Sequence, residues 1–296
     1  MPSGTDLILE IQNAPSAVDY VRRKYLAALH KKRDERNIIS YYSGYLTKKG
    51  YDTGIQDSDK DLLMSAVHQL DRERGLDLIL HTEGGNIAAT ESIVDYLFKM
   101  FGCDIKVFVP QIAMSAGTLI ACTANEIFMG QQSNLGPIDP HINGIAAKRV
   151  IEKYKNAKED LAQNINVQYW QIELRKYPPT YLEICQDAVN WSETLAREWL
   201  KRNMFKEDSQ ADEKITGLLK SLTETEENFS HGRHIHVDKL KSLALNISCL
   251  EDDQDLQDLV LTLHHLYMYS FANTDAIKII ENHLGKATIL HAEIGR

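Results

Sequence analysis

Ser115 stands within residues 113–117 (AMSAG), just after an apolar run at 105–109 (IKVFV) has been broken by Pro110. A serine with small neighbours, set where a strand ends and a helix begins, suits attack on a carbonyl carbon. That chemistry requires main-chain N–H groups placed to hold the negative oxygen that develops. A second junction of the same kind lies upstream: His81-Thr82-Glu83-Gly84-Gly85-Asn86 follows the apolar run 76–80 (LDLIL). Glycines there let the backbone approach a ligand closely, and the residue after a nucleophile at a helix start offers its own N–H. The expected oxyanion cradle is therefore Gly84 or Gly85 together with Ala116. The same residues also suit a plain strand-to-helix turn with Ser115 as a helix N-cap, and spacing alone does not choose between the two.

The elements that would hold these junctions repeat as strand, turn and helix. LDLIL leads through the glycine turn into IAATESIVDYLFKMFG, whose apolar positions recur at helical spacing; IKVFV leads into AMSAGTLIACTAN; EIFMG is a third strand. Short links between such units imply parallel βαβ crossovers of right-handed sense. Successive strand-to-helix junctions then fall on one edge of the sheet, the carboxyl end, where ligands bind. Upstream, residues 17–36 read as an amphipathic helix, NIISYYSGY as a short strand, and residues 57–75 as a helix capped at Asp57 or Ser58 and stopped by Gly75. From about Asn143 the pattern is helical, including DQDLQDLVLTLHHLYMYSF and TDAIKIIENHL. The expected organisation is an N-terminal arm and strand over 1–56, a catalytic core over 57–250, and a helical C-terminal segment over 251–296.

Three stretches together, DLILHTEGGNIAATESIVDYL, VPQIAMSAGTLIACTANEIFMG and SNLGPIDPHING, resemble the Clp-fold serine proteases. The subgroup most resembled is the serine dehydrogenase proteinases, related to signal peptide peptidase A. The resemblance implies an α/β fold of the Clp/crotonase type, a spiral of ββα units with helical outgrowth. It further implies Ser115 as nucleophile, an oxyanion hole from the Gly84-Gly85 turn and Ala116, peptide or unfolded-protein substrates, and a homo-oligomer of rings or stacks. The turn is not G-x-G-x-x-G, so the family's name brings no expectation of a nicotinamide, and no cofactor is expected. No phosphate-binding G-x-x-x-x-G-K-[ST] occurs, so energy-driven unfolding would fall to a separate unfoldase.

The serine needs a base. The resemblance of SNLGPI to a turn in signal peptide peptidase A, which uses a Ser-Lys dyad, points to Lys176 before the Pro-Pro helix start. Burial would make its amine neutral and able to accept a proton. Asp139 and His141 lie near the position of the Clp histidine, but His141 is out of register with it. His81, directly before the glycine turn, is an auxiliary candidate for orienting substrate or a loop. His231, His234 and His236 (SHGRHIH) have no accompanying Cys or placed carboxylate in the sequence, so no metal site is expected. Two other readings share these residues: a crotonase-type acyl-CoA enzyme, which holds a thioester enolate on the same amides, and a catalytically inactive scaffold.

Composition narrows the field. The 296 residues are 43% hydrophobic and 25% charged, ordinary for a folded chain, and the net charge of −9 argues against nucleic acid or anionic lipid as partner. The four cysteines lack a C-x-x-C pair, and neither a leader-like segment nor an apolar run of membrane-spanning length is evident. A reduced, cytoplasmic setting with no membrane span is the expectation.

Overall fold

Aliphatic runs too apolar to alternate become the buried centre of a seven-stranded sheet. In the computed structural model, which describes residues 17–223 and 230–292, five strands are parallel: β1 (Asn37–Ser43), β2 (Leu76–His81), β3 (Ile105–Val109), β5 (Glu126–Met129) and β10 (Ile247–Cys249). Their order is β10-β5-β3-β2-β1, and the antiparallel strands β11 (Ala276–Asn282) and β12 (Ala287–His291) continue it beyond β1. Parallel strands are covered on both faces, so every residue of β2 is buried. The pleat sends alternate side chains to opposite cores: Leu78, Leu80, Val107 and Val109 to one, Ile79 and Phe108 to the other.

Helices cover the two faces. The first core packs α2 (Ser58–Val67), α3 (Ile87–Phe101), α4 (Ala116–Ala121), α7 (Tyr181–Arg202) and α8 (Ala211–Thr223) through Leu63, Val94, Leu119, Leu200 and Leu219. The second packs α1 (Ala17–Lys32) and α10 (Gln254–Asn273) through Leu26, Leu29, Val260, Leu263 and Tyr267. Between α4 and α10 lie α5 (Ala147–Ala162), α6 (Val167–Leu174) and α9 (Val237–Ser242). Three short strands make a second sheet: β4 (Ile112–Ala113) pairs in parallel with β6 (Asn134–Leu135), and β6 antiparallel with β9 (Ile235–His236). A hairpin of β7 (His141–Ile142) and β8 (Ile145–Ala146) turns through Asn143 and Gly144, both at positive φ. No helix among the described residues is long and apolar enough to cross a membrane.

The three intervals expected from the sequence share one sheet. β1, assigned to an N-terminal arm, lies between β2 and β11, and the segment expected to be helical over 251–296 contains α10 followed by two strands. TDAIKIIENHL is the misread element. Its apolar residues suit a helical stripe, but the β-branched run pairs with β1, opposing Ile280 to Tyr41 and Ile279 to Tyr42. The charged residues of β11 are compensated on each face of the sheet. Lys278 Nζ lies 2.7 Å from both carboxylate oxygens of Asp59 in α2, and the Arg22 Nε of α1 donates to Glu281 at 2.6 Å.

Candidate active site

Ser115 precedes α4 with φ 52° and ψ −115°, and its hydroxyl makes no capping hydrogen bond. A serine held at positive φ costs about 1–3 kcal/mol and persists only where its surroundings overdetermine it. Those surroundings are visible. Gly117 N donates to Met114 O at 2.7 Å, and the Thr118 hydroxyl lies 3.0 Å from Ala113 O and 2.9 Å from Gly136 O while accepting Gly136 N–H at 3.0 Å. Thr118 thus clips the 134–136 strand end onto the serine turn. A Cβ on Gly117 would stand 2.6 Å from Thr82 Cγ2, so the small neighbour that follows the serine's helix start is a packing requirement.

The glycine turn meets the serine turn directly. A Cβ on Gly84, at φ +100°, would fall 2.8 Å from Ser115 Cβ and 3.0 Å from Ala116 N. Segment 53–55 fixes the other side: Ile55 N donates to Gly84 O and Asn86 N to Ile55 O, each at 2.8 Å. Asn86 then caps α3 through Oδ1, accepting from Ala88 N at 2.8 Å and Ala89 N at 3.1 Å. Within the expected cradle, Gly84 is corrected. Its N–H donates to Thr82 Oγ1 at 3.1 Å and is committed to the turn, whereas among the described residues the amides of Gly85 and Ala116 donate to no protein acceptor.

Ser115, Ala116, Gly84, Gly85, His141 and His231 line one cavity of about 600 Å³, with Ile87, Leu119, Ile142 and Ala188 on its apolar wall. Behind it the Asp139 side chain, 4% exposed, accepts from His231 Nδ1 at 2.9 Å. With Nδ1–H committed to the carboxylate, the unshared pair of a neutral His231 ring sits on Nε2. His141 Nδ1 lies 3.2 Å from the Asp139 carbonyl and 3.6 Å from Oδ2, and its ring centroid is 4.2 Å from that of His231. The preceding residue is tied down on both sides: Ile138 N donates to Leu222 O and the Ser192 hydroxyl to Ile138 O, both at 3.0 Å. His231 arrives from 92 residues away because β9, four residues later, pairs with β6, four residues before Asp139.

Two expected residues lie elsewhere. Lys176 is not among the cavity-lining residues: its side chain is 60% exposed and pairs with Glu173 one turn back, so the burial its role required is absent. His81 is buried away from the cavity, hydrogen-bonded to Ser43 O at 3.3 Å and to the Gln111 side chain at 3.2 Å, and stacked on Tyr42. Burial pushes its pKa down to about 4. Glu83, next to the glycine turn, accepts from Ser43 Oγ at 2.6 Å and from the Thr53 hydroxyl. His231 was legible in sequence only as one of three histidines, of which His234 and His236 are exposed and take no part. The carboxylate that the histidine segment lacked locally is Asp139, and with His141 the three place ligating atoms within 4.8 Å of one another.

Residues 7–287 match the family described as ClpP-like SDH-type serine proteinase. Two uncharacterized proteins of Methanocaldococcus jannaschii are each 29% identical to the chain, over 213 and 194 residues, or 72% and 66% of its length. The matches span 65% and 58% of those relatives, less than two-thirds of either.

Proposed function

The chain belongs to the ClpP-like SDH-type serine proteinases, and from that premise we propose that it is an active peptidase with Ser115 as nucleophile, His231 as general base and Asp139 as the carboxylate that orients it. In the acylation step the Ser115 Oγ–carbon bond forms as its proton passes to His231 Nε2, and the amides of Gly85 and Ala116 hold the oxyanion. Collapse breaks the C–N bond and returns the proton to the leaving amine; water then repeats the sequence on the acyl-serine. The apolar wall of the cavity favours a hydrophobic side chain next to the scissile bond. The observation that carries this reading is the His231–Asp139 pair at 2.9 Å on the same cavity as a serine held at positive φ.

A fluorophosphonate probe tests it, since the adduct requires an activated serine but no knowledge of the peptide substrate. Wild type labels, and Ser115→Ala abolishes labelling. His231→Ala and Asp139→Asn slow it by about 10²–10⁴-fold, the usual contribution of a positioned base. Lys176→Ala stays within about twofold of wild type, the size of change expected for an exposed ion pair. Labelling that survives in His231→Ala but vanishes in Lys176→Ala would reverse the assignment of the base. Absence of labelling in a folded wild type would favour the inactive scaffold.

A further inference from the structure

A catalytic carboxylate needs one histidine, and Asp139 has two. We propose that Asp139, His141 and His231 form a binding site for a zinc-class divalent cation, and that its occupancy switches Ser115 off. The metal site stands on its own geometry, while its consequence for catalysis rests on the peptidase reading above.

The donor set is a carboxylate and two imidazoles, the borderline oxygen and nitrogen donors that Zn²⁺ takes in three-ligand sites with one position left open. Around a tetrahedral Zn²⁺ with bonds of about 2.0–2.2 Å, ligand atoms stand roughly 3.3–3.5 Å apart. Here both histidines turn Nδ1 to the same carboxylate, at 2.9 Å for His231 and 3.6 Å for His141, and all three ligand atoms lie within 4.8 Å. Small side-chain rotations bring them onto one ion. The set is also anchored: Asp139 is buried behind the cavity wall, and His141 is carried on the β7–β8 hairpin. Both imidazoles line the Ser115 cavity, so an ion held by them is reached from that side.

The effect on catalysis follows from the tautomer. In the metal-free site the His231 proton sits on Nδ1, facing Asp139, and Nε2 is the acceptor. When the metal takes the Nδ1 lone pair, the ring's proton moves to Nε2. Nε2 then has no lone pair for the Ser115 hydroxyl, and the base is lost although every residue remains in place. No net proton is gained or released by the ring in this exchange.

The test is a zinc chloride titration against a chromogenic chelator, using the full chain as Ser115→Ala for binding and as wild type for fluorophosphonate labelling. The expected results are one Zn²⁺ per chain at micromolar or tighter affinity, at least tenfold weaker binding in both His141→Ala and His141→Gln, and a labelling rate that falls over the same zinc range and recovers with EDTA. Co²⁺ in place of Zn²⁺ should give the visible absorption of a tetrahedral N/O site in Ser115→Ala and lose it in His141→Gln. Binding that is absent, or unchanged in both folded His141 variants, overturns the site. Zinc bound by Ser115→Ala while wild type never labels leaves the metal site standing and sinks the peptidase reading. Labelling with stoichiometric zinc still bound sinks the switch.

Discussion

Ser115 holds a backbone conformation that its side chain makes costly, and that conformation sets it apart from a capping serine. A cap would have been built in the extended region with its oxygen on a helix N–H; here the hydroxyl caps nothing. Replacing Ser115 by alanine removes the proposed nucleophile but keeps the strain, whereas glycine removes both. The relief of about 1–3 kcal/mol exceeds the extra chain entropy that glycine loses on folding, roughly 0.5–1 kcal/mol. Ser115→Gly should therefore be more stable than Ser115→Ala by about 1 kcal/mol in urea denaturation, and both should be inactive. A less stable glycine variant would show that the local strain is relieved in some other way. Gly85 is the complementary case: a Cβ there would meet Ile55 N at 2.2 Å and Ile55 O at 2.5 Å. Gly85→Ala should displace the donor cradle and slow labelling by about 10²–10³-fold, the loss typical of a missing oxyanion donor. Its circular dichroism should stay folded.

Among the elements, the glycine turn, the serine turn and the three parallel strands were legible because each depends on near neighbours: aliphatic runs, glycine punctuation and short links. β11 was not. Its seven residues suit a helical stripe as well as a strand, and the choice was made by β1, more than 200 positions away, and by a buried charge that needs a partner. Lys278 is 2% exposed, touches both oxygens of the Asp59 carboxylate at 2.7 Å, and also donates to Gly54 O at 2.7 Å; Tyr41 OH donates to the same carboxylate at 2.6 Å. Lys278→Met should cost about 3–5 kcal/mol, because it leaves Asp59 charged and without its cation in the core. Adding Asp59→Asn to that variant should restore part of the loss. A single variant within about 1 kcal/mol of wild type would mean that water reaches Asp59.

At the scale of the whole molecule, the face of the sheet opposite the site is rich in buried imidazole. His81, His264 and His283 are all held below the usual histidine range, chiefly by burial, and His81 and His283 each sit at about 4. A base whose folded pKa is lowered binds protons more readily when unfolded, so stability is whole above pH 6.5 and declines as pH falls toward 4. For fully buried His81 the 6.5-to-4 shift is worth about 3 kcal/mol. Unfolding free energy measured at pH 7.5 and 4.5 should fall by at least that order, and His81→Phe should flatten the slope; an equal slope would place the acid sensitivity elsewhere. The sequence by itself determined the strand-to-helix setting of Ser115, the glycine turn and the parallel core, because all three are written in residues a few positions apart. Only the tertiary structure decided which of the candidate groups share the serine's cavity. Lys176 went to an exposed pair with Glu173, Gly84 N–H went to Thr82, and His231 met Asp139 across 92 residues. That last contact depends on β9 closing onto β6, a pairing of two-residue strands too short to leave a signal in the chain.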